Sequence, residues 1–151
     1  MNGKKLSILA IALWLISAAS IGSLFIFGNT VSTTDDRKAI ILSETERNLI
    51  LGEMRNMLSS IQEIITAVAE NDMQLVEKTA LSIGTAEVRN VPKTLMLKLP
   101  IGFKTMGSKN HTQFDQVAAQ AKNGGKAVLI ELGNLMTNCV TCHEGYSLKA
   151  E

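Results

Sequence analysis

The chain is poor in the residues from which sheets and most polar sites are built. Aromatics make up 4% of it, and there are two prolines and two histidines. With Ala, Leu, Ile and Met dominating the apolar set, helix is favoured over sheet, and an all-α domain is expected. The formal charge is +1, and without Lys4 and Lys5 the balance is 13 basic to 14 acidic residues. No concentrated basic face exists to hold a nucleic acid, which excludes that class of partner. No internal repeat occurs, and no low-complexity tract beyond one hydrophobic run.

That run comes first. Met1 to Lys5 is short and positive, a cytoplasmic N-terminus, and Leu6 to Gly28 carries no charge. At about 1.5 Å per residue it spans roughly 34 Å, enough for a hydrocarbon core of about 30 Å. A cleaved signal peptide is the alternative, since Ser17-Ala18-Ala19 offers small residues to a peptidase. Ile21 to Phe27 continues the apolar run past that point, which favours a retained anchor. In either case Lys4 and Lys5 hold the N-terminus in the cytoplasm, and the rest of the chain faces the periplasmic side.

In a chain of 151 residues this leaves one globular domain, residues 36–151, behind a linker at 29–35. Thr33 or Thr34 with Asp35 and Asp36 suggests a helix start, acids lying in the first turn where the dipole favours them. From there to about Glu70, Ile50, Met54, Met57, Ile61, Ile64 and Val68 recur at helical steps, with Leu51, Leu58 and Ile65 widening the stripe. A shorter helix follows from Leu75 to Ile83 and stops at Gly84. Thr85 to Pro100 is irregular, because Val91-Pro92 and Leu99-Pro100 mark turning or extended chain. A third helix starts near Ile101, with Phe103, Met106, Asn110, Phe114, Val117 and Ala121 down one side, and breaks at Asn123-Gly124-Gly125. The last runs from Lys126 to about Leu148, with Val128, Leu129, Leu132, Leu135, Met136, Cys139, His143 and Tyr146 inward. Short first and last connections with a longer middle one imply an antiparallel four-helix bundle behind one transmembrane helix.

Both cysteines and one histidine meet in Cys139-Val140-Thr141-Cys142-His143. C-x-x-C-H is the attachment pattern of a c-type haem. Two thiols add across the porphyrin vinyl groups, and the next imidazole binds the iron. On a helix the three stand at i, i+3 and i+4, on one face. Zinc fits poorly, because only His111 and carboxylates remain to complete four ligands. A thioredoxin-like pair lacks its strand-helix-strand context, and a plain disulfide leaves His143 unexplained. One covalent haem c on Cys139 and Cys142, with His143 as axial ligand, is the expectation. No acid-base constellation surrounds the motif, so enzymatic turnover is not expected.

A four-helix bundle with this motif in its last helix resembles the cytochrome c′ family, including its low-spin His/Met relatives. The likeness covers about residues 36–149. It includes Leu132-Gly133, Cys139 to His143 and Tyr146 in the last helix, and Phe114-Asp115 in the one before. Arg47, Leu51 and Met54 match the family's spacing of an Arg, a distal apolar residue and a further position on the first helix. The resemblance implies a haem packed by Tyr146, with Arg47 near a propionate and Leu51 over the distal face. Where the family commonly has a basic residue four positions after the axial His, this chain has Ser147.

The sixth site separates the functions. Leu51 over the iron leaves it five-coordinate and open to NO or CO, whereas Met54 or Met57 as ligand gives a His/Met couple suited to electron transfer. Each methionine also suits plain core filling. His111 is read as a solvent contact or a helix hydrogen bond before an iron ligand. Lys38, Glu53 and Glu63 read as a solvated face. The candidates are a membrane-anchored electron carrier serving a redox partner protein, a binder of a small diatomic gas, and an accessory subunit of a membrane complex. A homodimer is a further arrangement open to it.

Overall fold

The computed structural model describes residues 3–86 and 91–151. Met1 and Asn2 of the expected cytoplasmic segment, and residues 87–90 of the irregular stretch, lie outside the described part. The chain is mostly helical, with α1 (Gly3–Phe27), β1 (Thr30–Ser32), β2 (Lys38–Leu42), α2 (Glu44–Ala69), α3 (Met73–Ile83), α4 (Lys93–Lys98), α5 (Ile101–Gln120), α6 (Gly125–Gly145) and β3 (Tyr146–Ala150). A single 3₁₀ turn, Ala121–Asn123, joins α5 to α6.

α1 has no buried residue, and its 25 residues are long and apolar enough to cross a membrane. The domain behind it is built on α2, α3, α5 and α6. Ile61, Ile64 and Ala67 of α2, Val76 and Ala80 of α3, Phe114, Val117 and Ala118 of α5, and Val128, Leu132 and Leu135 of α6 form one core. Phe114, Ile64, Val76, Val117, Val128 and Leu135 in it are fully buried. α2 and α6 run antiparallel, since Val68 near the end of α2 meets Gly125 at the start of α6, while Met54 and Cys142 share a cluster at the opposite end.

Two stretches expected to be helical are strands. Lys38–Leu42 pairs antiparallel with β1 and parallel with β3, in register from Lys38 opposite Tyr146 to Leu42 opposite Ala150. Asp35 and Asp36 therefore start no helix. They form the β1–β2 turn, where Arg37 Nε donates to Asp35 Oδ2 at 2.8 Å and Asp36 has φ 64°. The helix starts at Ser43, whose side chain accepts from the Glu46 N–H while the Glu46 carboxylate accepts from the Ser43 N–H at 2.9 Å. This reciprocal cap satisfies two of the orphan N–H groups of a helix start. α6 likewise stops at Gly145, short of Leu148, and the segment expected as a linker contributes β1.

Ile40 and Leu42 of the central strand lie in a second cluster with Ile50, Leu95, Leu99, Phe103 and Cys142. The sheet thus closes the end of the domain at which α6 finishes. The inward stripes are narrower than expected: Leu58, Ile65, Leu129 and Met136 are exposed, because a helix facing two neighbours buries only the sector between them.

Candidate functional site

Leu135, Asn138 and Cys142 are buried along α6 and Cys139 is half-buried, so both thiols face the interior from adjacent turns. Both are free. Burial raises each thiol pKa above its ordinary value, and for Cys142 the neighbouring Cys139 adds to the rise. A reactive redox pair needs a lowered value, so this environment keeps both groups as neutral thiols and does not suit disulfide exchange. Cys139 packs against the main core, as Met57 does, and Cys142 belongs to the second cluster, on which Met54, Met106 and Tyr146 also pack.

His143 departs from the expected inward face. One helical step beyond Cys142 turns it to the exposed border of α6, where its ring has no hydrogen-bond or ion-pair partner among the described residues. Tyr146 is half-buried as the first residue of β3, not on the helix, and meets Phe103 edge-on with ring centroids 5.5 Å apart. Arg47, Leu51 and Met54 lie at i, i+4 and i+7 on one side of α2 and are all half-buried. Arg47 has no ion pair among the described residues. Met57 packs on the main core and also lines a cavity of about 640 Å³ between α2, α3, α4 and α5.

That cavity does not reach the cysteines. Ile50, Leu95, Leu99 and Phe103 wall it off, lining it on one side and packing with Cys142 on the other. Among the described residues no three Cys, His, Asp or Glu side chains converge as a metal-holding group. The motif is a donor set within about one turn of α6, in which Cys142 is buried, Cys139 half-buried and His143 exposed.

Two features escaped the sequence. Asn138 Nδ2 donates to Met106 O at 2.9 Å and to Asn110 Oδ1 at 2.5 Å, and the Cys139 thiol lies 3.9 Å from the same Asn110 oxygen. This network ties the cysteine-bearing turn of α6 to α5; Asn110 stands on the inward stripe expected from the sequence, and Asn138 lies outside the one expected for the last helix. Glu53, read as solvated, pairs with His111 at 3.0 Å. His111 is buried rather than in solvent contact, and its Nδ1–H donates to the Ile83 carbonyl at 2.6 Å. With that nitrogen donating, only the imidazolium gives the other nitrogen a proton for the carboxylate, and Glu53 accordingly raises the His111 pKa.

None of the family models, curated proteins or solved structures compared with the chain matches it. The functional reading therefore rests on the chemistry of Cys139, Cys142 and His143 and on what surrounds them.

Proposed function

We propose that the domain is a cytochrome c′-like antiparallel four-helix bundle carrying one covalent haem c, and that it transfers single electrons while held at a membrane by α1. The observation that carries this is the pairing of two free, inward-facing thiols on consecutive turns of α6 with an adjoining imidazole that no other group engages. The donor set suits the group in its chemistry, with two neutral thiols for thioether attachment and one axial ligand without a partner; His143, exposed beside the covered thiols, would have to turn toward them to bind the iron. When bound, the haem supplies a one-electron iron couple.

The chain's own residues do the rest. The Asn110–Asn138 network fixes the turn that bears Cys139. Tyr146, braced by Phe103, packs on the cluster that contains Cys142. Met54 packs on the cluster of Cys142 and Met57 on the core that Cys139 joins, so either methionine could serve as the sixth ligand of an electron carrier. Arg47, half-buried and one turn before Leu51, suits a propionate, because a guanidinium matches a carboxylate in shape. Lys4 and Lys5, in the first turn of α1, support a periplasmic side for the domain by the positive-inside rule. Tethering raises the effective concentration near a membrane-bound redox partner.

A second reading keeps Leu51 over the iron and makes the protein a five-coordinate binder of NO or CO. Its half-buried position on the same stripe as Met54 supports that reading. Spectra separate the two. The full chain, produced with haem-attachment machinery, is expected to carry a covalent haem by mass, and C139S or C142S each to lose one thioether. A wild-type chain without covalent haem would sink the proposal. A low-spin ferrous spectrum unchanged by NO supports the carrier, and a high-spin one that shifts on NO supports the gas binder.

A further inference from the structure

α1 is joined to the domain by a built junction. Gly28 ends it at φ +65°, and a Cβ there would stand 2.5 Å from both the Lys98 carbonyl oxygen and the Pro100 nitrogen, so the backbone sits directly on the α4–α5 corner. The Asn29 N–H donates to Lys98 O at 2.7 Å, and Asn29 exchanges backbone and side-chain bonds with Ile41 of β2. Lys104 completes the junction: its ammonium donates to Phe25 O at 2.9 Å and to Met96 O at 3.3 Å, and lies 3.7 Å from the centroid of the Phe25 ring.

The length of α1 sets the depth of that corner. Its 25 residues run roughly 37 Å, against a hydrocarbon core of about 30 Å. The last turn, which Lys104 and Gly28 fasten to the domain, therefore emerges at the headgroup layer when α1 spans a bilayer. On that corner Leu97 and Ile101 are 47% and 46% exposed, and Lys93 and Thr94 nearby in the chain are exposed too. Apolar side chains next to a lysine are what an interfacial segment presents to lipid.

We infer that the α4–α5 corner, through Leu97 and Ile101 with Lys93, is seated in the phospholipid headgroup layer, so that the domain rides on the bilayer in a fixed orientation. This rests on α1 spanning the membrane. It goes beyond anchoring, because a tethered domain joined by a slack linker would present no constant face to lipid.

Photocrosslinking in the full chain tests it. The photoreactive residue p-benzoylphenylalanine replaces Trp14, Leu97, Ile101 or Ile130 in turn, each variant is reconstituted in vesicles of phosphatidylethanolamine and phosphatidylglycerol, and lipid adducts are read by mass. Position 14 reports insertion of α1, and exposed Ile130 on α6 reports background. Adducts at 97 and 101 at least tenfold above position 130, together with one at 14, are the expected result. Labelling at 14 with 97 and 101 no higher than 130 overturns the seat while leaving the anchor standing. No labelling at 14 overturns both. K104A loosens the junction without touching Leu97, and is expected to cut the adduct at 97 severalfold while leaving that at 14 unchanged. An undiminished yield at 97 would show that the clamp does not set the orientation.

Discussion

Nε2 of His111 on α5 lies 3.0 Å from Oε1 of Glu53 on α2, while its Nδ1 donates to the last carbonyl of α3 at Ile83. One imidazolium therefore pins three helices together at the rim of the cavity. Because the folded pKa of His111 is raised above its ordinary 6.5, this contribution is complete below pH 6.5 and is lost as pH climbs through the folded value. Denaturant midpoints measured from pH 5 to 9 are expected to fall across that window in the wild type. In E53Q the fall shrinks, with a loss of about 1 kcal/mol at pH 5.5, since the half-exposed carboxylate is partly screened.

Gly102 at the start of α5 lies under the Tyr146 hydroxyl, so close that a Cβ would stand 2.6 Å from it. G102A is expected to lower stability by about 1–3 kcal/mol through overpacking, because Phe103 holds the Tyr146 ring edge-on and limits its retreat. Removing the oxygen in a G102A/Y146F double variant restores most of the loss. Thermal melts of the four proteins of the cycle measure the coupling, and strict additivity would show that the close approach carries no strain.

Phe114 is fully buried where α2, α3, α5 and α6 share their core. F114A is expected to cost about 3–5 kcal/mol in urea denaturation, as buried aromatic truncations do. L58A, on the exposed side of α2, stays within about 0.5 kcal/mol. Comparable losses in the two variants would mean that the helices pack on a different face.

Met54 packs on the cluster of Cys142, whereas Met57 packs on the core that Cys139 joins and also lines the cavity. On the proposed His/Met couple, M54L is expected to convert a low-spin ferrous spectrum to high spin and to lower the reduction potential, while M57L leaves both unchanged. The reverse outcome would assign the ligand to Met57.

Local signals were the legible ones. α3 was read from its apolar stripe and its stop at Gly84, and α5 from Pro100 and the glycines beyond Asn123. The strands were not, because nothing near Lys38–Leu42 in sequence says that its partner is Tyr146–Ala150. The capping box of Ser43 and Glu46 is a local signal in the sequence, and it competes there with the acids Asp35 and Asp36 for the helix start. In the site, the motif declared the thiols and the imidazole, but not that Cys142 is buried while its neighbour His143 is exposed. That difference is a matter of where the sector between neighbouring helices falls, which depends on packing and not on spacing. The pairing of His111 with Glu53 was hidden for the same reason.

The parallel pairing of β2 with β3 has a consequence for the order of assembly. β2 stands at the entrance of the domain, and its partner lies over about a hundred residues further along, a contact of high sequence separation and hence slow to form. During synthesis β2 is available long before β3 exists, paired only with β1 on one edge. The turn bearing Cys139, Cys142 and His143 emerges just ahead of β3, in the interval before the sheet can close. In that interval the thiols stand in unfinished structure and are open to whatever modifies them, and the arrival of residues 146–150 ends it.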